Sequence, residues 1–322
     1  MATNKAIKEF PKQFGYEPVI ENAEALGYDK HVISVGMGGS HLASDLLTMA
    51  YRDMDIMVHS DYGLPFVSSD FLRESLVVCN SHSGNTEETI DAFNTAEKRG
   101  ALLAVIASGG KLLARAKEKG VAYIQLPNST IQPRLAVGLH LRALMKMLSM
   151  EDALVETAKL QETLDVKEAE KKGTALAKKL EGKIPVIYAS RHNEAIAYNW
   201  KIKLNETGKI PAFYNIFPEL NHNEMTGFDI AEKTKSLSEK FHFIFLKDVA
   251  DHPKIQKRMD VCKKLYEARG FAVETVESQG ATIWNKIFSS LLVADVTAFH
   301  IADMYGVESE AVPMVEEFKK MI

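Results

Sequence analysis

Short apolar runs alternate with longer segments of helical periodicity along the first half of the chain. Runs of strand length fall at 31–35, 56–59, 76–79, 102–107 and 121–126, and apolar residues recur at helical spacing over 40–51, 86–99, 112–119 and 133–150. Such alternation predicts parallel strands joined by crossover helices. From 151 to 182 the composition turns to Lys, Glu and Ala with no strand-like run, which reads as a solvated helix linking two units. The scheme then repeats, with strands expected at 185–189, 212–216, 241–246 and 271–276 and helices over 193–207, 254–269 and 281–305. The halves share an architecture but no clear sequence repeat. The predicted fold is α/β, two doubly wound parallel-sheet domains. Residues 1–152 form the first, and the linker helix with the second domain occupies 153–322.

A length of 322 residues suits two domains, each able to bury its own core. The net charge of −4 gives no electrostatic reason to expect a nucleic acid or membrane partner. No apolar run approaches a membrane span, and the first eleven residues lack the apolar segment of a signal peptide. Cys79 and Cys262 lie far apart in apolar surroundings and read as reduced core residues. The expectation is a cytoplasmic protein.

In open α/β sheets, ligands bind beyond the carboxyl ends of the strands. The most informative loop follows the third run: Ser81-His82-Ser83-Gly84-Asn85-Thr86, ahead of a helical pattern. Free N–H groups and the positive end of the dipole favour an anion there, and Ser or Thr hydroxyls add donors. These residues are also ordinary turn formers, but three hydroxyls around one glycine favour phosphate. The first loop, Gly36-Met37-Gly38-Gly39-Ser40, invites a dinucleotide reading with Asp61 as ribose acceptor. His41 occupies the third glycine position, so the fingerprint is incomplete. The same loop serves equally as a second wall of the phosphate site, with Gly39 N–H and Ser40 as donors.

Arg134 follows Pro133 in an expected first helical turn, where a cation opposes the dipole. It is either an exposed arginine with its head in water or part of a site. Glu206 is its mirror image, a carboxylate at an expected helix C-terminus before Gly208. It is either solvated or a candidate general base. Glu219 and His222 have the i, i+3 spacing of carboxylate metal sites, but no second such motif occurs, and His222 reads better as an acid/base. Lys286, in the apolar segment 283–299, either snorkels to the surface or faces a site. His140 and His300 fall inside helical patterns and read as structural.

Taken together, these residues make the chain resemble the bifunctional phosphoglucose/phosphomannose isomerase family, built from two flavodoxin-like sugar-isomerase (SIS) domains. The similarity spans nearly the whole chain. It is carried by Gly36-x-Gly38-Gly39-Ser40 with Asp45, by Ser81-x-Ser83-Gly84-Asn85-Thr86-Glu87-Glu88-Thr89, and by Pro133-Arg134. The second half adds Asn205-Glu206, Pro218-Glu219-Leu220-Asn221-His222-Asn223-Glu224 and Gly306-Val307. The family's usual Asn-Ala after the glutamate is Thr207-Gly208 here. The resemblance implies that Ser81, Ser83 and Thr86 hold a sugar phosphate, assisted by Gly39 and Ser40. It implies that Glu206 moves a proton between C1 and C2, that Arg134 stabilises the enediolate, and that His222 with Lys286 opens the sugar ring. It also implies a homodimer with sites at the subunit interface, and no metal or redox cofactor. The rival readings are a non-catalytic sugar-phosphate sensor, which lacks an output module here, and an isomerase or deaminase of glucosamine-6-phosphate.

Overall fold

The computed structural model describes residues 2–27, 31–127 and 131–321. Residues 9–163 form one compact unit; those up to Lys8, together with those from Leu164 onward, form the other.

The sheet of the first unit contains β1 (His31–Val35), β2 (Ile56–His59), β3 (Ser75–Ser81), β4 (Leu102–Ala107) and β5 (Ala122–Gln125). They pair in the order β2-β1-β3-β4-β5, every pair parallel. The strands are apolar runs without alternation because helices cover both faces. On one face Ile33, Val35, Val77, Cys79 and Val105 pack against Phe93 and Leu112. Strand order reverses between β1 and β3, so the crevice for a ligand opens at their carboxyl ends.

The sheet of the second unit contains β6 (Ile184–Ser190), β7 (Phe213–Phe217), β8 (Phe241–Lys247) and β9 (Ala272–Glu277), in the parallel order β7-β6-β8-β9. Its core is aromatic: Tyr188, Phe217, Phe243, Phe245, Tyr266 and Phe271 meet on one face. Both cysteines are free and buried, as read from the sequence. Burial pushes the thiols up to about 12 for Cys79 and about 11 for Cys262, which leaves them inert.

Three expectations are corrected. The Lys/Glu-rich stretch is not one solvated linker. It forms helices Glu151–Ala158, Leu160–Thr163 and Val166–Lys179, which bury Ala153, Leu154, Leu160, Ala169, Leu176 and Ala177. The first two pack on the first unit, where Arg142 donates to the Leu154 carbonyl and the Thr157 hydroxyl. The division therefore falls after Thr163 rather than at 152. Helix Ala2–Lys8 belongs to the second unit instead of the first, tied by the Ser309 hydroxyl to Thr3 at 3.1 Å. Finally, one helix does reach spanning length. Ile283–Met304 has 22 residues and a mean hydropathy of 1.4 over its most apolar window, 78% of which is buried in the protein. A core helix covered on nearly every side needs such a composition.

Candidate active site

At the β1/β3 crevice, three loops interlock. Gly84 has φ of +68°, and a Cβ there would lie 1.8 Å from the Gly109 carbonyl, so only glycine lets the loops after β3 and β4 close on each other. Gly39 plays the same part on the other side, where a Cβ would stand 2.7 Å from the Arg134 nitrogen. The Ser40 hydroxyl accepts from His82 N–H at 2.9 Å, and the Asn80 amide donates to the Ser40 carbonyl at 2.8 Å.

The sequence-predicted phosphate ligands divide into two groups. Ser40 and Ser81 are buried and shape the loop: Ser81 Oγ accepts from Gly84 N–H at 3.1 Å and lies 2.8 Å from Thr86 Oγ1. Ser83 is exposed and Thr86 half-buried, so their hydroxyls are the ones presented to solvent. Thr86 is the N-cap of helix Glu87–Lys98, yet its side chain makes no capping hydrogen bond; it turns to Ser81 instead. A threonine at an N-cap normally satisfies an N–H of the first turn. Leaving that donor uncapped, at the positive end of a 12-residue helix, creates an anion-binding position. Glu87 also lies in that turn, but it is exposed and screened by water.

Arg134 departs from its expected helical position, and its burial decides between the two readings left open by the sequence. It sits in a 3₁₀ turn, Pro133–Leu135, ahead of the α-helix Val137–Met147, and the residue is only 1% exposed. The alternative of a guanidinium in water does not hold. A buried arginine is costly to desolvate, and its backbone packs against the Gly39 turn.

In the second unit, the expected residues lie at opposite edges of one sheet. Glu206 ends helix Glu194–Glu206, which runs back from the carboxyl end of β6 to the amino end of β7. Lys203, one turn earlier, is ion-paired to Asp295 at 2.7 Å, both side chains 1% exposed. Trp200 donates to Ser290 at 3.0 Å, and Lys209 Nζ reaches the Glu206 carbonyl at 2.5 Å, satisfying a helix-terminal acceptor. These contacts hold the Glu206 backbone in place. His222 follows β7 at the carboxyl edge, exposed after the 3₁₀ turn Glu219–Asn221. Its segment is anchored by Glu224, which accepts from Tyr188 and Asn215. Glu219 accepts from Asn223 at 2.8 Å, an ordinary loop contact.

Lys286 is also at the carboxyl edge, in the first turn of helix Ile283–Met304, and pairs with the buried Asp248 at 3.0 Å. Asp248 and Asp251 occupy the β6/β8 crevice, where Asp251 accepts from the Ser190 hydroxyl at 2.6 Å. Burial pushes the Asp251 carboxyl up from its ordinary value. The crevice of the second sheet is thus lined by Asp248, paired with Lys286, and by Asp251. Sequence reasoning missed Asp248, the Lys203–Asp295 pair, and a buried chain from His82 through His140 to Asn80. Each joins residues far apart in sequence, and the only local signals were a lysine in an apolar helix and a histidine set between two serines.

Comparison with known proteins identifies the family. Residues 169–322 match the model of the bacterial phospho-glucose isomerase C-terminal SIS domain. A bifunctional phosphoglucose/phosphomannose isomerase of Aquifex aeolicus is 33% identical over 321 residues, covering 98% of this chain and 97% of the relative. That of Caldicellulosiruptor bescii is 33% identical over 319 residues, covering 94% and 91%. Among solved structures, a glucosamine-6-phosphate deaminase of Thermotoga maritima shares the fold, with a TM-score of 0.71 at 16% identity over 96% of this chain and 97% of that one. With full-length similarity on both sides and the uncapped serine–threonine loop in its crevice, the chain belongs to the bifunctional phosphoglucose/phosphomannose isomerase family.

Proposed function

We propose that this protein is a sugar-phosphate aldose–ketose isomerase interconverting glucose-6-phosphate and mannose-6-phosphate with fructose-6-phosphate through an enediolate. The observation that carries the reading is the Ser81–Thr86 loop, where the N-cap threonine leaves its helix N-terminus open for a phosphate. The names of the full-length relatives supply the substrate class. Ser83 and Thr86 hold the phosphate, with Ser81, Ser40 and Gly39 shaping the loop around it. That binding energy positions the reacting carbons. Glu206 is the base between C1 and C2, Arg134 balances the enediolate charge, and His222 opens the ring. Lys286, oriented by its ion pair with Asp248, assists His222 in ring opening. No step is assigned to a metal or redox cofactor.

The reading extends to a homodimer. Ring opening and proton transfer act on neighbouring atoms of one sugar. Glu206 and His222 stand at opposite edges of one sheet, separated by a 13-residue helix that rises about 20 Å. That separation supports a site in which one subunit's Glu206 works with its partner's exposed His222. A cytoplasmic location fits a phosphorylated metabolite as substrate.

Coupled assays of EDTA-treated protein with each aldose phosphate test the activity; no fructose-6-phosphate from either would overturn it, and ammonia released from glucosamine-6-phosphate would favour the deaminase reading. Ser83→Ala with Thr86→Ala is expected mainly to raise KM, since the hydroxyls contact an unreactive group. Each lost charge-assisted hydrogen bond costs about 1.5–3 kcal/mol. An unchanged KM in the double variant would remove the phosphate assignment.

A further inference from the structure

Helix Pro313–Met321 has no buried residue. Met314 and Met321 are each 80% exposed, Phe318 59% and Val315 46%. Residues 314, 318 and 321 follow the i, i+4, i+7 spacing of a single stripe, with Val315 at its border. A helix of nine residues is marginal in water and draws its stability from packing such a stripe on a partner. Four large apolar side chains left in water on one short helix mark an interaction surface. Glu316 is paired with Lys319 at 3.0 Å, whereas Glu317, which flanks the stripe, has no ion pair among the described residues.

A complementary surface lies on the same unit. A groove of about 520 Å³ runs along helix Pro253–Glu267 beside the turn Glu219–Asn221. Val261, 46% exposed, and Leu265, 38% exposed, give it an apolar floor with Met225. Lys254 and Lys257 line its other end and have no ion pair among the described residues, while Arg258 there donates to Asn221 Oδ1 at 3.4 Å. An apolar stripe flanked by an unpaired carboxylate thus matches an apolar groove flanked by unpaired ammonium groups. Each surface is also tied to one of the candidate catalytic residues. Lys209 Nζ donates to the Glu206 carbonyl at 2.5 Å and to the carbonyl of Ala311, two residues before helix Pro313–Met321 begins. The turn at the groove ends on Asn221, the neighbour of His222. Seating the helix of one copy in the groove of another therefore carries Glu206 of the first toward His222 of the second.

We propose that helix Pro313–Met321 of one copy docks in the Lys254–Leu265 groove of a second copy, and that the two copies exchange these helices about a twofold axis. The arrangement is isologous and closes on itself, so it makes a dimer with two docks. Each dock brings together Glu206 of the copy that gives the helix and His222 of the copy that receives it. That link to catalysis rests on the isomerase reading; the docking itself does not.

Sedimentation velocity of the full chain over a range of concentrations tests the docking. Phe318→Glu, on the helix, and Val261→Glu, in the groove, alter exposed residues, so circular dichroism should be unchanged. Each is expected to raise the dimer dissociation constant about a hundredfold, the size of a hot-spot loss. Glu317→Lys should weaken the dimer less, and most clearly at low salt. An equal mixture of Phe318→Glu and Val261→Glu proteins should recover dimer, because one of the two docks is intact in that pair. A monomeric parent overturns the proposal, including one in which both variants lower the melting temperature because the helix seats in its own groove. A Phe318→Glu or Val261→Glu protein that dimerises as the parent does overturns it too, and in every such case the isomerase reading stands. Mixing Glu206→Gln with His222→Ala protein tests the shared site. About a quarter of parental turnover is expected, since half of the dimers are mixed and one of their two sites is whole. Adding Phe318→Glu to both should abolish that recovery; recovery that survives it overturns the docking, and none from dimeric mixtures overturns the shared site. A parent without isomerase activity removes the reading of the site, while sedimentation still decides the docking.

Discussion

Glu206→Gln is expected to lower aldose–ketose turnover about a hundred- to ten-thousand-fold, the usual cost of losing a general base, with sugar-phosphate affinity largely unchanged. The amide keeps the shape of the carboxylate and loses its basic lone pair, so only proton transfer suffers. Folding should be undisturbed. Glu206 is the last residue of its helix, its backbone carbonyl is already satisfied by Lys209, and removing a negative charge at a helix C-terminus is locally favourable. His222→Ala provides the contrast. That variant should still exchange the C1/C2 proton of the small open-chain fraction of substrate, because ring opening and enolisation are separate steps. Solvent deuterium incorporation followed by NMR reads the exchange directly. Normal exchange in the Glu206→Gln protein would place the base elsewhere.

Lys203→Met is expected to destabilise the second unit by about 3–5 kcal/mol, because it leaves Asp295 as a charge that water cannot reach. For a domain of this size the loss corresponds to about 2–4 °C in Tm per kcal/mol. The pair is a poor source of net stability, since both charges were desolvated to make it; the cost appears when one partner goes alone. Replacing both, as Lys203→Met with Asp295→Leu, should therefore recover most of the loss. Chemical denaturation of the two variants separates these outcomes. A single variant within about 1 kcal/mol of the parent would mean that the pair is not isolated from water. The double variant also asks whether the pair aims Glu206, which lies one turn further along the same helix. Recovered stability with turnover still depressed would show that it does.

The strands were legible because each is a buried apolar run of the right length. The expected 31–35, 56–59 and 102–107 coincide with β1, β2 and β4, and the others differ by one or two residues at their ends. The Ser81–Thr86 loop was legible for a related reason, since a hydroxyl-rich turn at a helix N-terminus is made by consecutive residues. The stretch from 151 to 182 was misread because its charge averages over three helices, each of which turns apolar residues inward. Arg134 was left open because its burial depends on the Gly38–Ser40 turn, nearly a hundred residues earlier in the chain.

By itself, then, the sequence determined two parallel α/β sheets, the hydroxyl-rich loop at a helix N-terminus, and the residue types able to move a proton. Those properties follow from the order of neighbouring residues: periodicity, turn chemistry and the dipole of the next helix. Only the tertiary structure decided which polar groups are removed from water and which partner each then meets. It joined Lys286 to Asp248 across 38 positions, Lys203 to Asp295 across 92, and His82 to His140 across 58. It also set Glu206 and His222 at opposite edges of one sheet, through the direction of the helix between parallel strands. Burial turns a charge from a solvated decoration into an obligation to find a counter-charge or a hydrogen bond, and that partner is supplied by whatever the fold brings near.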